Sequence, residues 1–199
     1  MNVFFHFAVT GFSNTYLVGP HGGGKALLID PGIMDITLLN LIENNNYYVD
    51  TILVTNAHEA HIFGIKTLRK IYNAQIYCGV EKLYDFGCVL IKDGQSIDFH
   101  DKKIKTYQVM GHTRESMVFR IDNMLFTGDA LGAGKVGDSP NPYARRVLIK
   151  MIDDKILPLE EDLYIFPGHG PPTTLKLEKL YNPIISELIA SQRDSESSS

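Results

Sequence analysis

Four apolar segments of this chain end in the same way. Residues 51–54, Thr51-Ile52-Leu53-Val54, run into Thr55-Asn56-Ala57-His58-Glu59-Ala60-His61, and three later segments stop at Gly111-His112-Thr113, at Gly128-Asp129 and at Gly168-His169. Short runs of this kind, bounded by turn formers, read as buried strands. Polar groups at the carboxyl ends of strands are where α/β architectures gather a ligand. The fold therefore has to bring distant strand ends together, or leave chemically equipped loops with nothing in common. Imidazoles and a carboxylate suit a borderline cation such as zinc or iron(II), and the glycine before His112, Asp129 and His169 lets the backbone approach closely. The candidate ligands are His58, His61, His112, Asp129 and His169. The remaining three of the seven histidines, His6, His21 and His100, lie in a strand or near turns and are assigned no role.

The rest of the chain frames these ends. Alternation over 1–9 predicts a first strand, and 15–18 and 26–29 predict two more around a Gly-rich turn. That turn is not a phosphate cradle, because no helix opening with Lys and Ser or Thr follows it. Helical spacing covers 36–42, and a second amphipathic helix begins at about residue 62. A short strand is expected over 75–78, one or two helical turns over 81–86, strands over 95–99 and 104–109, and a hairpin over 117–127 turning at Asp122-Asn123. The long Gly- and Pro-rich loop 130–141 is a candidate wall for the site. A helix over 143–152, a strand over 163–166 and helices over 174–181 and 183–193 complete one domain, 1–193. Residues 194–199 are expected to be a disordered polar tail. In both halves helices follow strands, which suggests two sheets packed face to face with helices outside.

Composition narrows the partners. A formal charge of −4 and a pI near 5.9 leave no electrostatic footprint for nucleic acid or an anionic membrane, so a small-molecule substrate is expected. No apolar run approaches the ~20 residues of a membrane span, and the start lacks a basic leader. The two cysteines, Cys78 and Cys88, form no C-x-x-C motif, which fits a reducing compartment. A cytoplasmic location is the expectation.

Longer motifs add a resemblance. Ser13-Asn14-Thr15-Tyr16-Leu17-Val18, Leu28-Ile29-Asp30-Pro31-Gly32, the 55–64 stretch, Gly111-His112-Thr113, Phe126-Thr127-Gly128-Asp129-Ala130-Leu131 and Pro167-Gly168-His169-Gly170-Pro171-Pro172-Thr173-Thr174 span nearly the whole chain. Together they resemble the metallo-beta-lactamase superfamily, and within it single-domain proteins similar to glyoxalase II. The resemblance implies an α/β fold, a four-layer αββα sandwich of two mixed β-sheets flanked by helices, with metal at one end of the sheets. It also implies two half-sites bridged by Asp129, one retaining His58 and His112, the other His61 and His169. The family motif His-x-His-x-Asp-His has Asn56 here in place of its first histidine and Ala60 in place of its aspartate. Two ligand positions are thus substituted, so one metal is expected rather than two, zinc ahead of iron. Glu59, next to Ala60, is expected to point away as a solvated carboxylate at a helix start.

The resemblance leaves three functional readings. The first is a metal-dependent hydrolase of a thioester or ester-type acyl bond, with Asp129 the best catalytic candidate. The second is a relative that binds a metal or ligand with weak or no turnover. The third is a mononuclear iron oxygenase similar to persulfide dioxygenases, suggested by Gly128-Asp129-Ala130-Leu131 and opposed by Asn56. Relatives acting on glutathione thioesters carry a further C-terminal helical domain, which is not expected here. Lys135, Tyr143, Arg145 and Arg146 are candidates to meet an anionic substrate.

Overall fold

A computed structural model describes residues 1–197. In chain order the first half contains β1 (Asn2–Ala8), β2 (Ser13–Gly19), β3 (Gly24–Ile29), α1 (Ile36–Asn44), β4 (Tyr47–Leu53), α2 (Glu59–Ile62), α3 (Ile65–Ile71), β5 (Gln75–Cys78), β6 (Lys82–Leu83), β7 (Phe86–Gly87) and β8 (Val89–Leu90). The second contains β9 (Ser96–Phe99), β10 (Lys102–Gln108), β11 (Met117–Ile121), β12 (Met124–Gly128), β13 (Leu131–Gly132), β14 (Lys135–Val136), α4 (Pro142–Lys155), β15 (Tyr164–Pro167), β16 (Thr173–Thr174), α5 (Leu175–Tyr181) and α6 (Pro183–Ser197). One sheet has the order β1-β2-β3-β4-β5-β8 and the other β16-β15-β12-β11-β10-β9. Both are mixed: β3, β4, β5 and β8 run parallel, as do β12 and β15, while the remaining pairs are antiparallel.

The layers follow from strands that are apolar on both faces. Along β2 every residue is buried, and its side chains alternate: Tyr16 and Val18 enter the space between the sheets, whereas Leu17 packs with α1 and α3. In the second sheet Phe119 and Ile121 face the first sheet, while Val118 turns to α4 with Leu148 and Ile152. Three apolar clusters thus separate four layers, helix, sheet, sheet and helix, as expected. No helix among the described residues is long and apolar enough to cross a membrane.

Three local expectations change. Residues 81–86 belong to the β6–β7 hairpin, not to helical turns: Leu83 pairs with Phe86, Tyr84 takes a positive φ of 52°, and of this stretch only Leu83 is buried, too little for a helical stripe. The helix after the first histidine pair is split into α2 and α3, because Gly64 lies against the backbone of 31–34 and donates its N–H to the Pro31 carbonyl at 2.9 Å. The last helix continues to Ser197, and residues 198–199 of the expected tail lie outside the described residues.

The four strand ends meet where the two sheets are stitched together. Asp30 ends β3 in a left-handed conformation, φ 50°, and its carboxylate accepts from Thr55 N and Thr55 Oγ1 at 2.7 and 2.6 Å, holding the chain as it leaves β4. Thr55 O then accepts from Met117 N at the start of β11, and Gly168 O accepts from Asn14 N in β2. Because β12 and β15 are parallel, with Gly128 beside Pro167, Asp129 and His169 leave the same edge. Gly128 has φ 51°, and a Cβ there would collide with Thr55. This crossing of the two sheets therefore requires glycine.

Candidate metal centre

His58 precedes the first turn of α2 and His61 lies within that turn, so the short helix presents both rings on its way out of β4. His112 follows β10, Asp129 follows β12 and His169 follows β15. All five expected ligands come together. His58, His112 and Asp129 place one donor atom each within 4.8 Å of one another, and so do His61, Asp129 and His169. Asp129 belongs to both sets. Its Oδ2 is 3.0 Å from His61 Nε2 and 3.2 Å from His112 Nε2, and its Oδ1 is 3.5 Å from His169 Nε2. His58 turns the other ring nitrogen inward: Nδ1 is 3.0 Å from His112 Nε2 and 3.9 Å from Asp129 Oδ2. A Cβ on Gly168 would lie 2.7 Å from both Asp129 Oδ1 and His61 Cε1, so glycine before His169 is a condition of this packing.

Three rings are steered from behind. His112 Nδ1 donates to the Asp138 carbonyl at 2.7 Å, His169 Nδ1 donates to the Phe12 carbonyl at 2.8 Å, and His61 Nδ1 stands 3.2 Å from Asp30 Oδ2. Each contact holds the ring from behind and turns its Nε2 to Asp129, the arrangement by which a partner behind a histidine orients it toward a metal. Asp129 Oδ1 is buried and accepts no hydrogen bond among the described residues. Tetrahedral donors about 2.1 Å from a cation lie roughly 3.4 Å apart, close to the spacings here. Donor type, spacing and the unused carboxylate oxygen all fit a divalent cation.

The electrostatics agree. Burial opposes ionisation of Asp129, but hydrogen bonds from His112 and His61 hold its carboxyl far below the usual range. Burial also opposes a charged His61, yet Asp30 and Asp129 outweigh it and raise its pKa to about 10. His112 is pulled the same two ways and ends above its ordinary value, through Asp129 and the Asp138 carbonyl. His58 moves downward, through burial and then the neighbouring His112. The cluster attracts positive charge, and most strongly on its buried side.

Comparisons with known proteins add to this geometry. A sequence model of the metallo-beta-lactamase superfamily matches residues 8–87. Hydroxyacylglutathione hydrolase 1 of Vibrio vulnificus is 28% identical over 193 residues, covering 81% of this chain and 78% of that protein. Among solved structures, TTHA1623 in a di-iron-bound form is 26% identical with a TM-score of 0.77, covering 91% of this chain and 99% of its own. ETHE1 from Myxococcus xanthus, 22% identical, superposes with a TM-score of 0.83 over 94% of this chain and 85% of its own, a likeness of fold. Residues 8–87 thus carry the sequence pattern of the metallo-beta-lactamase superfamily, and the chain shares the fold of these solved neighbours.

Asn56 and Ala60, the two positions expected to be substituted ligands, have clear local contacts. The Asn56 side-chain oxygen accepts from His58 N at 3.1 Å, and its amide nitrogen lies 3.5 Å from Asp129 Oδ2. Asn56 thus turns its amide N–H toward the shared carboxylate and its oxygen toward the His58 main chain. The Ala60 carbonyl accepts from Ser13 Oγ at 2.5 Å, and its methyl group packs under Gly11. Glu59 is exposed in the first turn of α2, as expected.

The charged candidates separate. Lys135 lines a cavity of about 250 Å³ together with His112, Asp129 and His169, and it forms no ion pair among the described residues. Tyr143 lines a neighbouring groove. Arg145 and Arg146 line neither. Sequence reasoning gave no role to Asp30 and Phe12, which orient His61 and His169, nor to Asn14 and Tyr16. Asn14 Nδ2 donates to the Pro167 and Gly170 carbonyls at 2.9 and 2.7 Å, and Tyr16 Oη donates to Pro167 O at 2.7 Å, so both hold the loop that carries His169. Their presence in the motifs was the available signal. Phe12 had none, because it acts through its main chain.

Proposed function

We propose that this protein is a metal-dependent hydrolase of an ester or thioester acyl bond, using one divalent cation, zinc ahead of iron. The reading rests on the convergence of four imidazoles and one carboxylate, three of the rings anchored so that Nε2 faces the shared Asp129. His61, Asp129 and His169 would hold the cation, since this set is the more buried and both of its histidines are anchored. Bound there, a divalent cation polarises a carbonyl and makes water a stronger acid. His58 Nδ1, beside the same carboxylate and 3.0 Å from His112 Nε2, is placed to accept the proton of an attacking water. The Asn56 amide keeps Asp129 oriented, and Lys135 supplies positive charge over the cavity where negative charge develops on the substrate. The name of the Vibrio vulnificus relative, a hydroxyacylglutathione hydrolase, supports a thioester.

Metal analysis and hydrolysis assays test the reading. Protein purified without added metal should carry close to one equivalent of zinc and hydrolyse a simple acyl thioester. Asp129→Asn should lose both the metal and the activity, the latter by at least about 100-fold. The substitutions at Asn56 and Ala60 favour a second reading, a relative that holds its ligand without turnover. Bound metal with no hydrolysis of esters or thioesters would select that reading, whereas metal below about one-tenth of an equivalent would overturn the metal site itself.

A further inference from the structure

Beside the metal cavity lies a second one that the five ligands do not explain. The loop after β10 and the first turns of α4 enclose about 420 Å³, within the range of small-molecule sites. Its apolar surface comes from Met110, Tyr143, Ala144 and Val147, with Asn141 and Arg114 as polar neighbours. The groove has a defined floor. Gly111, at φ 124°, lies against Ala144 and Leu148 so closely that a side chain there would collide with the helix, which fixes α4 against the His112 loop. Tyr143 is 70% exposed, a large aromatic side chain left open at this wall. His112 lines both cavities, so the groove lies against one ring of the ligand cluster.

We infer that this groove is the acyl-chain subsite, and that the substrate carries a straight apolar acyl group of medium length. The inference rests on the hydrolase reading above. A carbonyl placed at the cluster has two directions in which to continue. One is the polar cavity with Lys135, and the other is the apolar groove past His112. Hydrocarbon gains by leaving water only in the second, so the acyl chain takes the groove and the leaving group takes the polar side.

Two ester series on the wild-type protein as purified test this, one varying the acyl chain from two to eight carbons and one varying the alcohol. The expected result is a rise in kcat/KM of roughly two- to fourfold for each acyl methylene, with a flat response to alcohol length. Val147→Ser and Tyr143→Ala should each lower the ratio of C8 to C2 activity by on the order of tenfold. Titration calorimetry with 1-octanol, which has the chain and no carboxylate, should show binding to the wild type and weaker binding to Val147→Ser. Hydrolysis that is flat in acyl length, or steeper in the length of the alcohol, overturns the groove assignment and leaves the hydrolase reading intact, as does failure of 1-octanol to bind. Absence of hydrolysis across both series overturns the hydrolase reading instead, and the acyl assignment with it.

Discussion

The two halves of the candidate cluster share Asp129 and differ most between His61 and His58. His61 is fully buried with Asp30 behind it, and His169 is tied to the Phe12 carbonyl; on the other side His58 is 51% exposed and has no anchor for its outward nitrogen among the described residues. The pKa directions differ most at the two ends of the cluster, upward at His61 and downward at His58, with His112 drawn upward by Asp129 between them. Rings locked before a cation arrives lose little freedom on binding it, whereas a ring at the open edge can exchange protons with water. Under the proposed hydrolase reading, the buried end would hold the cation and the exposed His58 would exchange the proton.

The largest expected effect breaks this division directly. His61→Ala should reduce bound metal from about one equivalent to below about one-tenth, and activity with it. His58→Ala should retain most of the metal and lose on the order of 100-fold in kcat, the usual range for removing a group that handles a proton. Metal analysis beside steady-state kinetics reads both. If the two variants lose metal equally, the halves are equivalent and the division of tasks is wrong.

A smaller effect concerns the support behind His61. Asp30→Asn keeps an oxygen for the Thr55 amide and removes the charge facing His61 Nδ1. Metal affinity should fall by about 10- to 100-fold, the usual effect of losing such a partner. Competition with a chromogenic chelator measures it. The same substitution should barely change the kcat of metal-saturated protein if the buried half only holds.

What could be read in advance follows the same line between side chain and backbone. The alternation of Tyr16, Leu17 and Val18, with apolar residues on both faces, was enough for a double sheet with outer helices, because burial on two sides leaves a period-two pattern with no polar face. The convergence of the five candidate ligands was legible because each follows an apolar strand. The supports of the second half-site were not: the Phe12 carbonyl contacts His169 across 157 positions, and any residue supplies a carbonyl. Asn56 was legible as a substitution but not in its role, since which end of an amide faces a site depends on the His58 backbone beside it. The β6–β7 hairpin was missed because a two-residue strand has no periodicity to detect.

The smallest effect is the pH dependence of the metal-free protein, and it separates the halves without any activity assay. The folded pKa of His61, about 10, lies above the ordinary value of 6.5, so the folded state binds this proton more tightly than the unfolded chain does. The stabilisation is fully present below pH 6.5 and is lost as pH rises through about 10. His58 has the opposite sign. Its folded pKa is lowered, so protonation favours the unfolded chain, and the cost appears only on the acid side, reduced by the ring's exposure. Between pH 7 and 9.5 the Tm of chelator-treated wild type should therefore fall by on the order of 5 °C. His61→Gln should remove most of that slope, while His58→Gln should leave it in place. Saturating zinc should flatten it too, because a cation held by His61 replaces the proton that the two carboxylates otherwise retain. An alkaline slope unchanged in His61→Gln would mean that the buried ring is not the group that gathers positive charge, and the distinction between the two halves would rest on exposure alone.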